Sequence, residues 1–182
     1  MTPETADGTT IPARLTAREL AVAIGRDVDE VTAALSARGE PSSPDDFLDW
    51  QLAMGVSKAL GSSVVIETRD LVLEALYEYE TRGELASSLD RRAERFAMGV
   101  IENREDLDRL IEGASEHWSV ARMPLIDRNI LRLGLHELQS DPEIPAAVVI
   151  SEAVRLAHTY STERSGAFIN GVLATLAGTA RG

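Results

Sequence analysis

Apolar residues recur at helical spacing along most of this chain. Between Met123 and Ala177 they fall into three runs. The first carries Ile126, Ile130, Leu131, Leu133 and Leu138, close to the i, i+4, i+7 rhythm of one buried helix face. The segment SDPEIP interrupts it, because Pro142 and Pro145 lack a backbone donor and disfavour helical geometry in the preceding residue. A second run places Val149, Ala153, Val154, Leu156 and Ala157 together. YSTERSG breaks that one, and a third run gathers Phe168, Ile169, Val172, Leu173 and Leu176. Upstream, RRAERFAMGVIENREDLDRLIEGASEHW supplies two more helical runs, one lined by Phe96 and Val100, the other by Leu107, Leu110, Ile111 and Ala114. The pattern predicts an all-α protein.

The first 14 residues, MTPETADGTTIPAR, are polar and carry no period, which predicts a flexible tail. Start and stop signals for short helices follow. Thr16 and Glu19 have capping-box spacing, and Gly25 is placed to end that helix. Asp27 and Glu30 open a second helix that closes at Gly39. Ser43-Pro44-Asp45-Asp46 reads as a third start, with Phe47, Trp50 and Met54 on one face and Leu48, Leu52, Val56 and Leu60 on the other. Residues 15–61 are therefore expected as a small three-helix domain, 62–68 as the joint and 69–182 as the main domain. Within the joint, VVI at 64–66 is too short to separate a strand from an extended linker.

The order of blocks in the main domain says more than their periodicity. IDRNILRLGLHEL, a short loop with IP, then ISEAVRLA, then FINGVL resembles the C-terminal half of the NusB family of bacterial transcription antitermination factors. RDLVLEALYEYETRGE is similar to that family's first helix, with its ALY signature at Ala75, Leu76 and Tyr77. The likeness covers about residues 66–177 and implies a NusB-like helical bundle. LTARELAVAIGRDVDEVTAALSARGE, continued by DFLDWQLAMGVSKALG, resembles the small N-terminal domain of bacterial translation initiation factor two. That motif is shared in outline with helix-turn-helix modules. Its second helix, however, begins with Asp27, Asp29 and Glu30 where a DNA reader wants basic and amide side chains. Packing or protein docking is the expectation for it, ahead of nucleic-acid contact.

Charge complicates the RNA side of this resemblance. The 182 residues hold 30 acids and 18 bases, and residues 1–65 hold 10 acids against 5 bases. Such a balance repels phosphates. There is no cysteine, hence no disulfide or thiolate metal site. No apolar run suits export or membrane spanning, so the cytoplasm is the default expectation. His117, His136 and His158 have no metal-ligand spacing, and no P-loop, G-x-S-x-G or dinucleotide fingerprint occurs. The carboxylates read as solvated helix faces with partners such as Glu105–Arg109. The expectation is no enzyme, no metal and no cofactor.

The family resemblance implies a partner, the ribosomal small-subunit protein NusE, and with it boxA-like RNA of nascent ribosomal transcripts within the RNA polymerase antitermination complex. On the NusE face, the family's tyrosine and its acid before the ILR block correspond to Tyr77 and Asp127. The plain alternatives are a core-edge ring and a helix-start acid. On the RNA face the family's arginine-rich start is replaced by Val64-Val65-Ile66-Glu67-Thr68, leaving Arg69. Two lysines common in the family correspond to Ala147 and Ala167. Arg164 stands where the family commonly has an acid, beside Phe168 and Asn170. Phe168 can stack on a base, although its spacing also suits the core. RNA contact through Arg69, Arg164, Phe168 and Asn170 is expected to be weak without NusE. Two functions follow: an antitermination factor, or a protein-protein adaptor that kept the NusE face and lost RNA.

Overall fold

The computed structural model describes residues 9–12, 14–62, 64–85, 89, 91–115 and 118–180. Its backbone contacts divide into two units, Met1–Asp70 and Leu71–Gly182.

In the first unit, helices α1 (Ala17–Ile24), α2 (Val28–Ser36) and α3 (Trp50–Ala59) are accompanied by four three-residue strands, β1 (Thr9–Ile11), β2 (Arg14–Thr16), β3 (Phe47–Asp49) and β4 (Val64–Ile66). The capping box is present: Glu19 N donates to Thr16 Oγ1 at 3.2 Å, and Thr16 N donates to Glu19 Oε2 at 2.7 Å. Gly25 ends α1 in the left-handed region at φ 64°, a conformation that only glycine adopts without strain. Asp27 caps α2 by accepting from Asp29 N at 2.9 Å.

The third helix departs from expectation. It starts at Trp50, where Asp49 accepts from Leu52 N at 2.8 Å, and not at Ser43. Ser43 and Asp46 form a turn instead, with Ser43 N donating to Asp46 Oδ2 at 2.8 Å. Phe47–Asp49 then runs antiparallel to Arg14–Thr16, pairing Leu15 with Leu48. Phe47 therefore lies on a strand and is exposed, while Leu48 is buried. A strand's period of two separates these neighbours to opposite faces, which a helical reading cannot do.

The segment left open between strand and linker is a strand, Val64–Ile66, paired in parallel with Thr9–Ile11. Where a flexible tail was expected, Thr9–Ile11 is tied down by that pairing and by buried Ile11; residues 1–8 lie outside the described residues. A polar stretch gives no periodic sign of pairing, because the ladder is made by backbone groups.

The second unit is helical: α4 (Thr68–Arg82, whose first turn precedes the unit boundary), α5 (Arg91–Glu102), α6 (Arg104–Ala114), a 3-10 turn at Val120–Arg122, α7 (Leu125–Ser140), α8 (Ala146–Tyr160) and α9 (Ser165–Ala180). Pro124 and Pro145 occupy the N-caps of α7 and α8, where the donor they lack has no intrahelical acceptor anyway. Helix α7 is the axis of the unit. It packs against α5, α6, α8 and α9, and Ile130, Leu131, Leu133, Leu135 and Leu138 are all buried. Each such side chain contributes roughly 1.5–3 kcal/mol by leaving water. A Cβ on Gly134 would lie 2.8 Å from Leu173 Cδ1, so glycine lets α9 approach α7 there. Helix α5 buries Ala93, Ala97 and Val100, at i, i+4 and i+7, and α6 buries Leu107 and Ile111. Leu110, expected inside, is 44% exposed. On α6 the anticipated Glu105–Arg109 pair is replaced by Asp106–Arg109 at 2.8 Å, a surface pair worth little.

Candidate partner and RNA-binding surfaces

Charged side chains join α4, α6 and α7. Arg132 Nε and Nη2 donate to the two oxygens of Asp108 at 2.6 and 2.8 Å, and Arg132 Nη1 donates to Asn129 Oδ1 at 3.0 Å. Glu80 accepts from Arg132 and from Arg128. Arg132 is 5% exposed. Burial by itself would lower its pKa; the Asp108 and Glu80 carboxylates outweigh that and hold it above the ordinary arginine value. The cluster ties α4 to α7 through Glu80, one turn after Tyr77. Periodicity missed Arg132, although a charge inside the apolar run LRLGL is itself a sign of a buried ion partner.

The two residues expected to face a protein partner have different surroundings. Tyr77 is 43% exposed on α4, a ring available for docking. Asp127 is 5% exposed. Its Oδ1 accepts from Ser161 and its Oδ2 accepts from Ser165 at 2.9 Å. Ser165 is the first residue of α9, so the Asp127 carboxylate sits by that helix's positive end. Asp127 thus ties the start of α7 to the α8–α9 corner.

Among the residues expected to meet RNA, Phe168 and Asn170 do not share a side of α9. Arg69 is partly buried and its Nη1 lies 3.2 Å from Glu67 Oε1. Arg164 is exposed just before α9, and among the described residues no carboxylate lies within ion-pair distance of its guanidinium. Phe168 N donates to Arg164 O at 3.5 Å, which places these two one turn apart. Phe168 is half-buried, with its ring centroid 6.4 Å from that of Trp118 and the planes at 57°. Asn170 follows Phe168 by two residues, about 200° around the helix axis, and is exposed on another side of α9 with Ala167 and Ala174. The two alanines at the family's lysine positions, Ala147 and Ala167, are both exposed. Trp118, absent from the expected set, is 56% exposed.

A separate groove of about 640 Å³ is lined by Arg95, Phe96, Met98, Gly99, Glu102, His136, Ser140 and Asp141. His136 meets Phe96 edge-on at 5.9 Å. Burial lowers its pKa, and the nearby charge of Glu137 offsets only part of this. His117 lies outside the described residues, and His158 is exposed on α8. Among the described residues no group of three or more His, Cys, Asp and Glu is arranged to hold a metal ion. No helix among them is long and apolar enough to cross a membrane.

A protein-family model described as the NusB family matches residues 60–178. The transcription antitermination protein NusB of Thermobifida fusca is 39% identical over 135 residues, covering 68% of this chain and 94% of the relative. That of Clavibacter sepedonicus is 38% identical over 128 residues, covering 61% and 93%. The solved NusB of T. maritima superposes with a TM-score of 0.55 at 37% identity, covering 61% of this chain and 88% of that one. A crystal structure of antitermination factors NusB and NusE in complex with dsRNA matches with a TM-score of 0.54 at 27% identity, covering 62% and 94%. The family match begins at residue 60, leaving α1, α2 and α3 outside it.

Proposed function

Because this chain belongs to the NusB family, we propose that it acts as a transcription antitermination factor, binding the ribosomal protein NusE and, with it, boxA-like RNA in the RNA polymerase antitermination complex. The observation that carries this reading is the family match across 60–178, which takes in α4 to α8 and all but the last two residues of α9. The solved neighbour that pairs NusB with NusE and RNA supports the same partners. The role is binding rather than catalysis, and it belongs in the cytoplasm, where bacterial transcripts are made.

Tyr77 is the proposed anchor for NusE, because its ring is exposed on a helix that Glu80 ties to α7. Asp127 supports that face from inside, by fixing the start of α7, with its carboxylate turned to Ser161 and Ser165. On the RNA side, Arg164 with Phe168 is the proposed contact. Arg69 is a lesser one, since Glu67 already offsets its charge, and Asn170 would meet RNA only from another side of α9.

The adaptor reading draws on that Arg69–Glu67 pair and on the alanines at 147 and 167. One experiment separates the two: binding of a boxA oligoribonucleotide with and without NusE across a salt series. Affinity that appears with NusE and falls steeply with salt supports antitermination. NusE binding with no RNA joining the complex leaves the adaptor. Binding of neither removes both.

A further inference from the structure

Trp118 leaves more than half of its surface in water, in a chain that has only two tryptophans. Isolated exposed apolar residues are ordinary, but this one is held in place. Ser115 Oγ donates to Trp118 O at 2.8 Å, and Trp118 N donates back to Ser115 O at 3.3 Å. Just beyond it, Glu112 Oε1 accepts from Ser119 Oγ and from Val120 N, each at 2.9 Å. The backbone of Trp118 and the residues after it are thereby fixed to the end of α6. The ring lies against Phe168, which is itself half-buried.

Charge points to the kind of molecule that fits. Among the described residues several cations have no carboxylate within ion-pair distance. Arg164 is one, a single turn before Phe168. Arg122 is another, exposed on the 3-10 turn that follows Trp118, and among the described residues no carboxylate lies within ion-pair distance of it either. A flat π-surface with unpaired guanidinium groups nearby suits a ligand that has a flat ring and a phosphate. An unpaired nucleotide has both.

We propose that Trp118, backed by Phe168, is a stacking platform for one unpaired base of the bound RNA, with Arg164 on the adjoining phosphate. This rests on the RNA-binding reading above and adds to it a residue and a mode of contact. A preformed platform asks little ordering of the protein when the base arrives, so stacking is gained without loss of side-chain freedom.

The test uses the full chain with NusE and a fluorescein-labelled single-stranded boxA oligoribonucleotide, read by anisotropy. NusE affinity without RNA is measured in parallel by calorimetry. Trp118→Ala should weaken RNA binding about 5- to 100-fold. Trp118→Leu, which keeps an apolar contact with Phe168 but no π-face, should lose nearly as much. Trp118→Phe should retain most of the affinity, and all three should hold NusE as the wild type does. Wild-type RNA affinity in Trp118→Ala overturns the platform and leaves the RNA reading standing. A loss of NusE affinity in Trp118→Ala and Trp118→Phe alike makes Trp118 a protein-docking residue and overturns the platform too. If the wild type with NusE takes up no RNA, the RNA reading fails and the platform with it.

Discussion

The guanidinium of Arg132 grips the Asp108 carboxylate through two nitrogens, at 2.6 and 2.8 Å, across the α6–α7 contact. With Glu80 on the other side, Arg132 links three helices from a position that is 5% exposed. Desolvating such a cluster is costly, and the paired geometry is what offsets the cost. Arg132→Ala leaves Asp108 without its cation and Glu80 with Arg128 alone, and should destabilise the second unit by about 3–5 kcal/mol. Arg132→Lys should recover little, because an ammonium cannot serve Asp108 bidentately and reach Glu80 as well. Urea unfolding followed by circular dichroism reads both; a loss well under 1 kcal/mol for Arg132→Ala would show that the cluster does not hold the helices together.

Asp127 should behave as a structural residue first. Ser165→Ala removes one of its two serine donors and should cost about 1–3 kcal/mol, since a buried carboxylate is left short of a partner. Asp127→Ala should cost at least as much and loosen the α8–α9 corner. Hydrogen exchange of the first turn of α9 measures this directly. Faster exchange there in both variants is expected, and wild-type protection in Asp127→Ala would contradict it.

Tyr77 should show the opposite profile. Its ring is 43% exposed, so Tyr77→Ala should change stability by no more than about 1 kcal/mol. If Tyr77 anchors NusE, the same variant should weaken NusE binding by about tenfold or more. Calorimetric titration with NusE, beside thermal unfolding of the free protein, separates the two effects. Unchanged affinity would remove Tyr77 from the interface.

His136 should give the protein a pH-dependent stability. Burial holds its folded-state pKa below 6.5. The unfolded chain therefore takes up the proton first as pH falls, so the contribution is complete above about 6.5 and is lost as pH drops toward the folded value. Urea midpoints between pH 7.5 and 5 should fall for the wild type. In His136→Gln the decline should be shallower, the remaining slope coming from carboxylates elsewhere. Parallel slopes for the two proteins would mean that His136 does not contribute.

Helices α5 to α9 were legible because burial leaves a period in the sequence, whereas α4 was legible through its likeness to the family's first helix. Capping residues were legible for a related reason: Thr16, Glu19 and Gly25 act within one turn, so their partners are close in sequence. The family blocks added the functional reading, since they preserve order and spacing across a whole domain.

Partnerships between distant residues were not legible in that way. Nothing local tells Phe47 that Thr16 is its strand neighbour, so a strand was read as a helix turn. Asp127 looked like a surface acid until the two serines near residue 163, at 161 and 165, folded back over it. Phe168 and Asn170 looked like one patch, and helix geometry turned them apart. Trp118 gained significance only when α9 brought Phe168 beside it. The sequence by itself determined the helices, their caps and the family, because those depend on near neighbours and on the order of blocks. Only the tertiary structure decided which charges are buried and which rings face water, because burial is set by residues far along the chain.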